Sequence, residues 1–128
     1  DEGVDPAMVR RVLLTSGRIY YDLVERRAAL DCRDVAIVRI EQFYPLSGAL
    51  VREALDPYRE GTQVVWVQDE PNNMGAWRHL RARFGERMFE RHPLSVLCRA
   101  ESASPATGSP SAHKLEQQEI LDKAFGPS

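Results

Sequence analysis

Three polar clusters follow apolar runs in this sequence, and they are where side chains could do chemistry: Thr15-Ser16-Gly17-Arg18, Glu41-Gln42-Phe43-Tyr44-Pro45 and Gln68-Asp69-Glu70-Pro71-Asn72-Asn73-Met74-Gly75. Ser16, Gly17 and Arg18 combine backbone N–H groups with a guanidinium at the start of a predicted helix, the ingredients of an anion site. The triplet lacks both G-x-G-x-x-G and a Walker lysine, and a serine cap with a turn glycine is the commoner use of such a combination. Asp69 and Glu70, with Glu41, could form a carboxylate pair for acid–base work. No His, Ser or Cys stands where it would complete a nucleophile arrangement with them. Strand-end acids that bond a helix terminus or a neighbouring subunit are therefore the simpler reading.

The other reactive residue types are equally uncommitted. His79, His92 and His113 have no H-x-x-x-H or H-x-x-x-C relation, which disfavours zinc and makes them surface or capping histidines. Five arginines from Arg78 to Arg91 stand against Glu86 and Glu90. A nucleic-acid groove would interleave exposed aromatics, whereas Trp77 and Phe84 fall on the predicted core side, so a solvated or subunit-facing helix is expected. Cys32 and Cys98 stand 66 positions apart without a C-x-x-C partner, each followed by an arginine. Cys98 ends a predicted buried strand, and inert packing is expected there rather than an activated thiolate.

Four apolar runs read as strands: Val12-Leu13-Leu14-Thr15, residues 35–40, Val64-Val65-Trp66-Val67 and residues 94–98. Their near-continuous apolarity suits strands covered on both faces, as in parallel sheets. Between them the period lengthens to that of helices. Tyr20, Leu23, Val24 and Ala28 mark one from about Arg18 to Leu30, and Leu46, Leu50, Ala54, Leu55 and Tyr58 mark a second. Trp77, Leu80, Phe84 and Met88 mark a third, with Arg87 and Arg91 on its outer side. Ile120, Leu121, Ala124 and Phe125 mark a fourth from about His113. Gly17 ends the first strand, Pro45 opens the second helix, Gly61 follows it at a C′-like position and Pro93 precedes the last strand. Alternation of strand and helix predicts right-handed crossovers and helices on both faces of a mostly parallel sheet, an α/β fold. Residues 101–112 read as a loop long enough to be functional or interfacial.

Composition bounds the possibilities. The 128 residues suit one domain, with 43% hydrophobic and 28% charged residues and eight each of Gly and Pro, which excludes collagenous, disordered and coiled-coil classes. Seventeen basic against nineteen acidic side chains leave a net charge of −2, so no global positive field favours nucleic acid. No apolar stretch approaches the roughly 18 residues of a membrane span. The thiols are expected to be reduced, in a cytosol-like compartment. The opening Asp1-Glu2-Gly3-Val4-Asp5-Pro6 is acidic where a signal peptide would be basic. It reads as a linker: we expect residues 1–9 to continue from an upstream domain and residues 10–128 to form the α/β domain.

As whole phrases the clusters say more. Residues 14–23 (Leu-Thr-Ser-Gly-Arg-Ile-Tyr-Tyr-Asp-Leu), 34–45 (Asp-Val-Ala-Ile-Val-Arg-Ile-Glu-Gln-Phe-Tyr-Pro), 66–77 (Trp-Val-Gln-Asp-Glu-Pro-Asn-Asn-Met-Gly-Ala-Trp) and 103–108 (Ala-Ser-Pro-Ala-Thr-Gly), with His113 five on, occur in order. From about Val9 to Gly126 the chain resembles the carboxyl-terminal domain of 2-oxoglutarate dehydrogenase, the thiamine-dependent first component of its complex. The resemblance implies a three-layer α/β/α, doubly wound, transketolase C-terminal-like fold with strands in the order 2-1-3-4, counted from Val12. It also implies a fifth, antiparallel edge strand from upstream, either truncated or built from residues 1–10.

In that family thiamine diphosphate and magnesium belong to earlier domains, so the resemblance implies that this segment holds no cofactor and no catalytic residue. It implies a supporting part in an oxidoreductase of the tricarboxylic acid cycle, packed on the upstream catalytic domains and a homodimer mate. That enzyme hands its succinyl group to dihydrolipoyl succinyltransferase; neither nucleic acid nor membrane is a partner. Ser16, Gly17, Arg18, Gln42, Glu70, Asn73 and His113 are the effector or interface candidates. The compartment would be a bacterial cytoplasm, or the mitochondrial matrix in a eukaryote. Two departures stand out: Asp69 replaces the family's usual glutamate, and Ala49 and Leu50 replace the arginine pair that, with a glutamine at Gln42, helps actinobacterial members bind acetyl-CoA. The alternatives are the 2-oxoadipate branch, a free-standing nucleotide- or anion-binding module, and a domain kept for oligomerisation alone.

Overall fold

A computed structural model describes residues 4–41, 46–71, 74–99 and 110–127, the side chains of 110–113 excepted. After a 3-10 turn at Pro6–Met8 come β1 (Arg11–Thr15), α1 (Ile19–Leu30), β2 (Val35–Arg39), α2 (Gly48–Leu55), β3 (Gln63–Pro71), α3 (Trp77–Phe84), β4 (Arg87–Met88), β5 (His92–Arg99) and α4 (Pro110–Phe125). The sheet runs β2-β1-β3-β5-β4, parallel except for β4. Counted without β4, this is the expected 2-1-3-4 order. Crossovers depart in opposite directions from β1 and β3, so the switch point lies between those two strands.

Alternation along each strand divides the core into two layers. Val12, Leu14, Ala36, Val64 and Trp66 point to the side covered by Val51, Leu55 and Tyr58 of the α2 region and by Trp77 and Leu80 of α3. Leu13, Val35, Ile37, Val65 and Val67 point the other way, against Ile19 and Leu23 of α1 and Ile120, Leu121 and Ala124 of α4. With both faces covered, strands can be apolar throughout, and all five residues of β1 are buried.

Several expectations need correction. Residues 4–10 contain no strand, which overturns the alternative that builds the antiparallel edge strand there, and a two-residue antiparallel strand that was not expected, Arg87–Met88, lies between α3 and β5. The Asp5 carboxylate accepts from Ala7 N (3.1 Å) and bends that segment into its 3-10 turn, and Val9 then sinks into the core. The third helix stops at Phe84, because Gly85 takes φ 68° and breaks the period. Met88 is buried as predicted, but from a strand, and Arg87 and Arg91 lie outside the helix. Ser47 opens α2, its Oγ accepting from Leu50 N (3.2 Å), and Pro45 lies outside the described residues. Gly61 is six residues past the end of α2, in a turn where its N–H meets Arg91 O (2.7 Å). Pro93 sits inside β5, opposite Arg87. Backbone of α4 begins at Pro110, earlier than His113.

One guanidinium ties the two ends of the domain together. Arg11, only 4% exposed, donates from Nη1 to Lys123 O (3.2 Å), Ala124 O (2.8 Å) and Gly126 O (3.0 Å), and from Nε to Gln63 Oε1 (3.0 Å). Arg10 Nη2 adds a bond to Phe125 O (3.2 Å). The last carbonyls of a helix have no partner within it and carry the negative end of its dipole, so a buried cation there satisfies both needs. Replacing Arg11 by Met, similar in length but without donors, is expected to cost about 3 kcal/mol and roughly 10 °C in Tm. Thermal unfolding followed by circular dichroism checks this, and an unchanged Tm would show that α4 needs no such cap.

Candidate functional site

In open α/β sheets the carboxyl edge of the strands beside the switch point is where ligands bind. Here it is occupied by polar side chains bonded to one another. On the α3 side, Gln68 at the end of β3 is 2% exposed. Its Oε1 accepts from Trp66 Nε1 (2.8 Å) and Trp77 N (3.2 Å). Its Nε2 donates to Glu70 O (3.1 Å), Pro71 O (2.9 Å) and Met74 O (2.9 Å). The amide thus draws in the carbonyls of the β3–α3 turn and ties down the first N–H of α3. Gly75, at φ +71°, completes the turn, since a Cβ there would lie 2.9 Å from Gln68 Oε1 and 3.1 Å from Glu70 Oε2.

On the opposite face, Arg99 at the end of β5 has a side chain only 8% exposed. Nη1 meets Glu116 Oε2 at 2.8 Å and Nη2 meets Gln117 Oε1 at 2.9 Å. Gln117 Nε2 continues the chain to Asp22 Oδ2 of α1 (3.0 Å). Asp69 Oδ1 lies 3.8 Å from Arg99 Nη2, inside ion-pair range and outside hydrogen-bond range. Aspartate is one methylene short at this position, and burial pushes its carboxyl above the usual aspartate range, with the Arg99 charge opposing the rise.

These contacts place the predicted residues individually. Successive strand residues face opposite ways, which separates Asp69 from Glu70, and exposed Glu41 lies 3.9 Å from Arg39 Nη1. A carboxylate pair for acid–base work is therefore not assembled, in line with the simpler reading of these residues as strand-end acids. Gly17 supplies a turn at φ +71°, but the cap position of α1 falls on Arg18, without a side-chain cap bond. Arg18 and Glu70 are exposed. Gln42 and Asn73 lie outside the described residues, as does most of the 101–112 loop; His113 lies in α4, its side chain outside the description. His92 is a core residue, 1% exposed, not a surface one: its Nδ1 is 3.0 Å from Thr62 O, and burial lowers its pKa. Cys98 is half-exposed because its strand lies near the sheet edge, and burial still raises its pKa, as it does for Cys32.

Sequence reasoning missed Arg11 and Arg99, whose partners lie 113 and 17 residues away, and saw Gln68 only as one member of a polar cluster. Among the described residues no group of three or more His, Cys, Asp or Glu could hold a metal ion. The acids Asp22, Asp69 and Glu116 instead gather around the Arg99 guanidinium and Gln117.

The family model for the 2-oxoglutarate dehydrogenase carboxyl terminus matches residues 1–125. A 2-oxoglutarate dehydrogenase E1 component of Haemophilus influenzae is 44% identical over 122 residues, covering 95% of this chain and 13% of that protein. The E1 component of Cupriavidus necator is 39% identical over 124 residues, covering 97% and 13%. A multifunctional 2-oxoglutarate metabolism enzyme of a Mycobacterium species is 44% identical, covering 96% and 10%. The chain thus spans about a tenth of the length of the curated relatives it matches.

Asp69 gives the edge a testable pH dependence. Its folded pKa is raised, so over the interval above its unfolded value the native state still holds a proton that the unfolded state has released. The contribution to stability is greatest below the unfolded pKa and declines as pH rises through the folded one. Asp69→Asn is therefore expected to gain on the wild type as pH rises from about 4. Urea unfolding at several pH values checks this, and a variant whose stability relative to the wild type stays constant or falls as pH rises would contradict it.

Proposed function

Because the chain belongs to the 2-oxoglutarate dehydrogenase carboxyl-terminal family, we propose that it is the bracing domain of the E1 component of a 2-oxoglutarate dehydrogenase complex. The observation that carries this reading is the carboxyl edge of the sheet. Gln68 and Arg99 occupy the place where a free-standing α/β enzyme would present reactive groups, and both are bonded to the domain's own backbone and helices. Such a domain contributes by holding its surfaces in a fixed arrangement.

In the full enzyme, thiamine diphosphate with magnesium would supply the electron sink for decarboxylating 2-oxoglutarate. The residues here do not fit that group, since the carboxylates nearest the switch point are engaged by a guanidinium where a cation would have to sit. We therefore assign the cofactor to the upstream catalytic domains. This domain would pack against them and against the homodimer mate, while the active site passes succinyl to the lipoyl arm of dihydrolipoyl succinyltransferase. Exposed Arg18 and Glu70, at the carboxyl edge, are the described candidates for that packing. In this reading the compartment is a bacterial cytoplasm, or the mitochondrial matrix in a eukaryote.

The test is to express the longer polypeptide with and without residues 10–128. Full-length enzyme is expected to dimerise and decarboxylate 2-oxoglutarate, the truncated form to lose dimer and activity together, and the isolated 128 residues to be inactive. Turnover of a 2-keto acid by the isolated chain, or full activity of the truncated enzyme, would overturn the reading.

A further inference from the structure

Between residues 46 and 99 the chain has no lysine, and every permanent cation there is an arginine. Where α2, α3 and the turn after β4 meet, two of these are held by aromatic rings. The Arg52 guanidinium of α2 lies 5.8 Å from the centroid of the Phe89 ring, and that of Arg83 on α3 lies 5.8 Å from the centroid of Phe84. The two rings meet edge to face, with centroids 5.4 Å apart. A ring covers a face of each guanidinium and leaves its N–H edge to solvent, the arrangement from which arginine forks a carboxylate. The backbone makes room for this. Phe89 reaches its place from φ 54°, rare for an aromatic residue, and Gly48 lacks the Cβ that would stand 2.9 Å from Arg83 Nη2. Neither cation has a counter-charge. Arg81 and Arg91 pair with Glu86 (3.1 Å) and Asp56 (3.2 Å), whereas among the described residues no carboxylate meets exposed Arg52, Arg78 or Arg83. Arg83 also stands beside Gly48 at the amino end of α2, where the helix dipole opposes a cation and favours an anion.

We propose that this face docks an acidic segment of another protein, whose aspartate or glutamate side chains are forked by Arg52 and Arg83 while Arg78 adds to the attracting field. The exposed acids nearby decide the class of partner. Glu53, Glu86 and Glu90 stand among the arginines, and they would repel the evenly spaced phosphates of a nucleic acid or the continuous charge of an anionic membrane. A protein segment can set its carboxylates over the arginines and neutral or basic side chains over the acids. Because the rings already hold both guanidinium groups, little side-chain freedom is left to lose on binding. The inference rests on the stacked arginines and their missing counter-charge, and it stands whatever reaction the longer polypeptide performs.

The probe is a fluorescent Glu/Ala helical peptide of about 20 residues, titrated with the full-length polypeptide and followed by anisotropy. Kd is expected at roughly 10–100 μM in about 50 mM salt, rising at least about tenfold in about 0.5 M salt. A peptide with glutamine for glutamate should bind at least about tenfold more weakly, and neither poly(U) RNA nor phosphatidylserine vesicles should displace the probe. Arg52→Glu with Arg83→Glu should abolish binding of the Glu/Ala peptide and admit a Lys/Ala one, while dimer and activity stay unchanged. Gly48→Ala keeps every charge, suits a helix and pushes only the end of the Arg83 side chain aside, so it tests the fork even if the double variant misfolds. It should weaken binding about threefold, whereas Arg33→Glu, on the turn between α1 and β2, should leave it unchanged. No binding at about 1 mM peptide, displacement by RNA or vesicles, or a Gly48→Ala variant that binds like the wild type would each overturn the proposal. So would a folded double variant that loses its dimer, since the face would then already be covered within the enzyme.

Discussion

A single buried primary amide organises the carboxyl edge of the sheet. Gln68 has two donors and one acceptor oxygen, and all are committed: the donors to three carbonyls of the β3–α3 turn, the oxygen to an indole and to the first N–H of α3. Buried polar groups are tolerable only when satisfied, and a fully satisfied network fixes one geometry. No aliphatic residue of the same size could satisfy these groups. Glutamate would lose the donors, and burial would penalise its charge.

Guanidinium groups extend the same principle to the helices. Arg11 caps the end of α4 and Arg99 holds its middle to β5 and, through Gln117, to α1. The last helix is therefore fastened to the sheet at its middle and at its carboxyl end. These bonds engage Gln68, Arg99 and Gln117 at the crevice, while Arg18 and Glu70 stay exposed there. A domain so arranged offers stiffness and surfaces, which is the contribution proposed for it above.

Much of the fold was legible in the sequence because the signals were local. Apolar runs such as 64–67, covered on both faces, read directly as parallel strands, and Leu80 or Leu121 fell on the expected sides. Where the reading failed, two residues or one long-range contact decided the outcome. Gly85 cut the third helix and turned Arg87 and Met88 into an edge strand, although the helical period ran on through both. His92 looked like a surface histidine among arginines but faces inward from β5. The candidate site was less legible still, because most partners of Gln68 and Arg11 are backbone carbonyls, and a carbonyl leaves no trace in residue type.

The most direct measurement is steady-state kinetics and assembly of the full-length enzyme carrying Gln68→Leu. With the indole, the Trp77 N–H and three carbonyls left unsatisfied, the domain should lose roughly 3 kcal/mol of stability and the dimer should melt and dissociate earlier than the wild type. The fraction that remains assembled should keep kcat and KM within about twofold, a barrier change under 0.5 kcal/mol. An enzyme with wild-type melting and assembly but kcat reduced a hundredfold would contradict a bracing role and put Gln68 among the reacting groups.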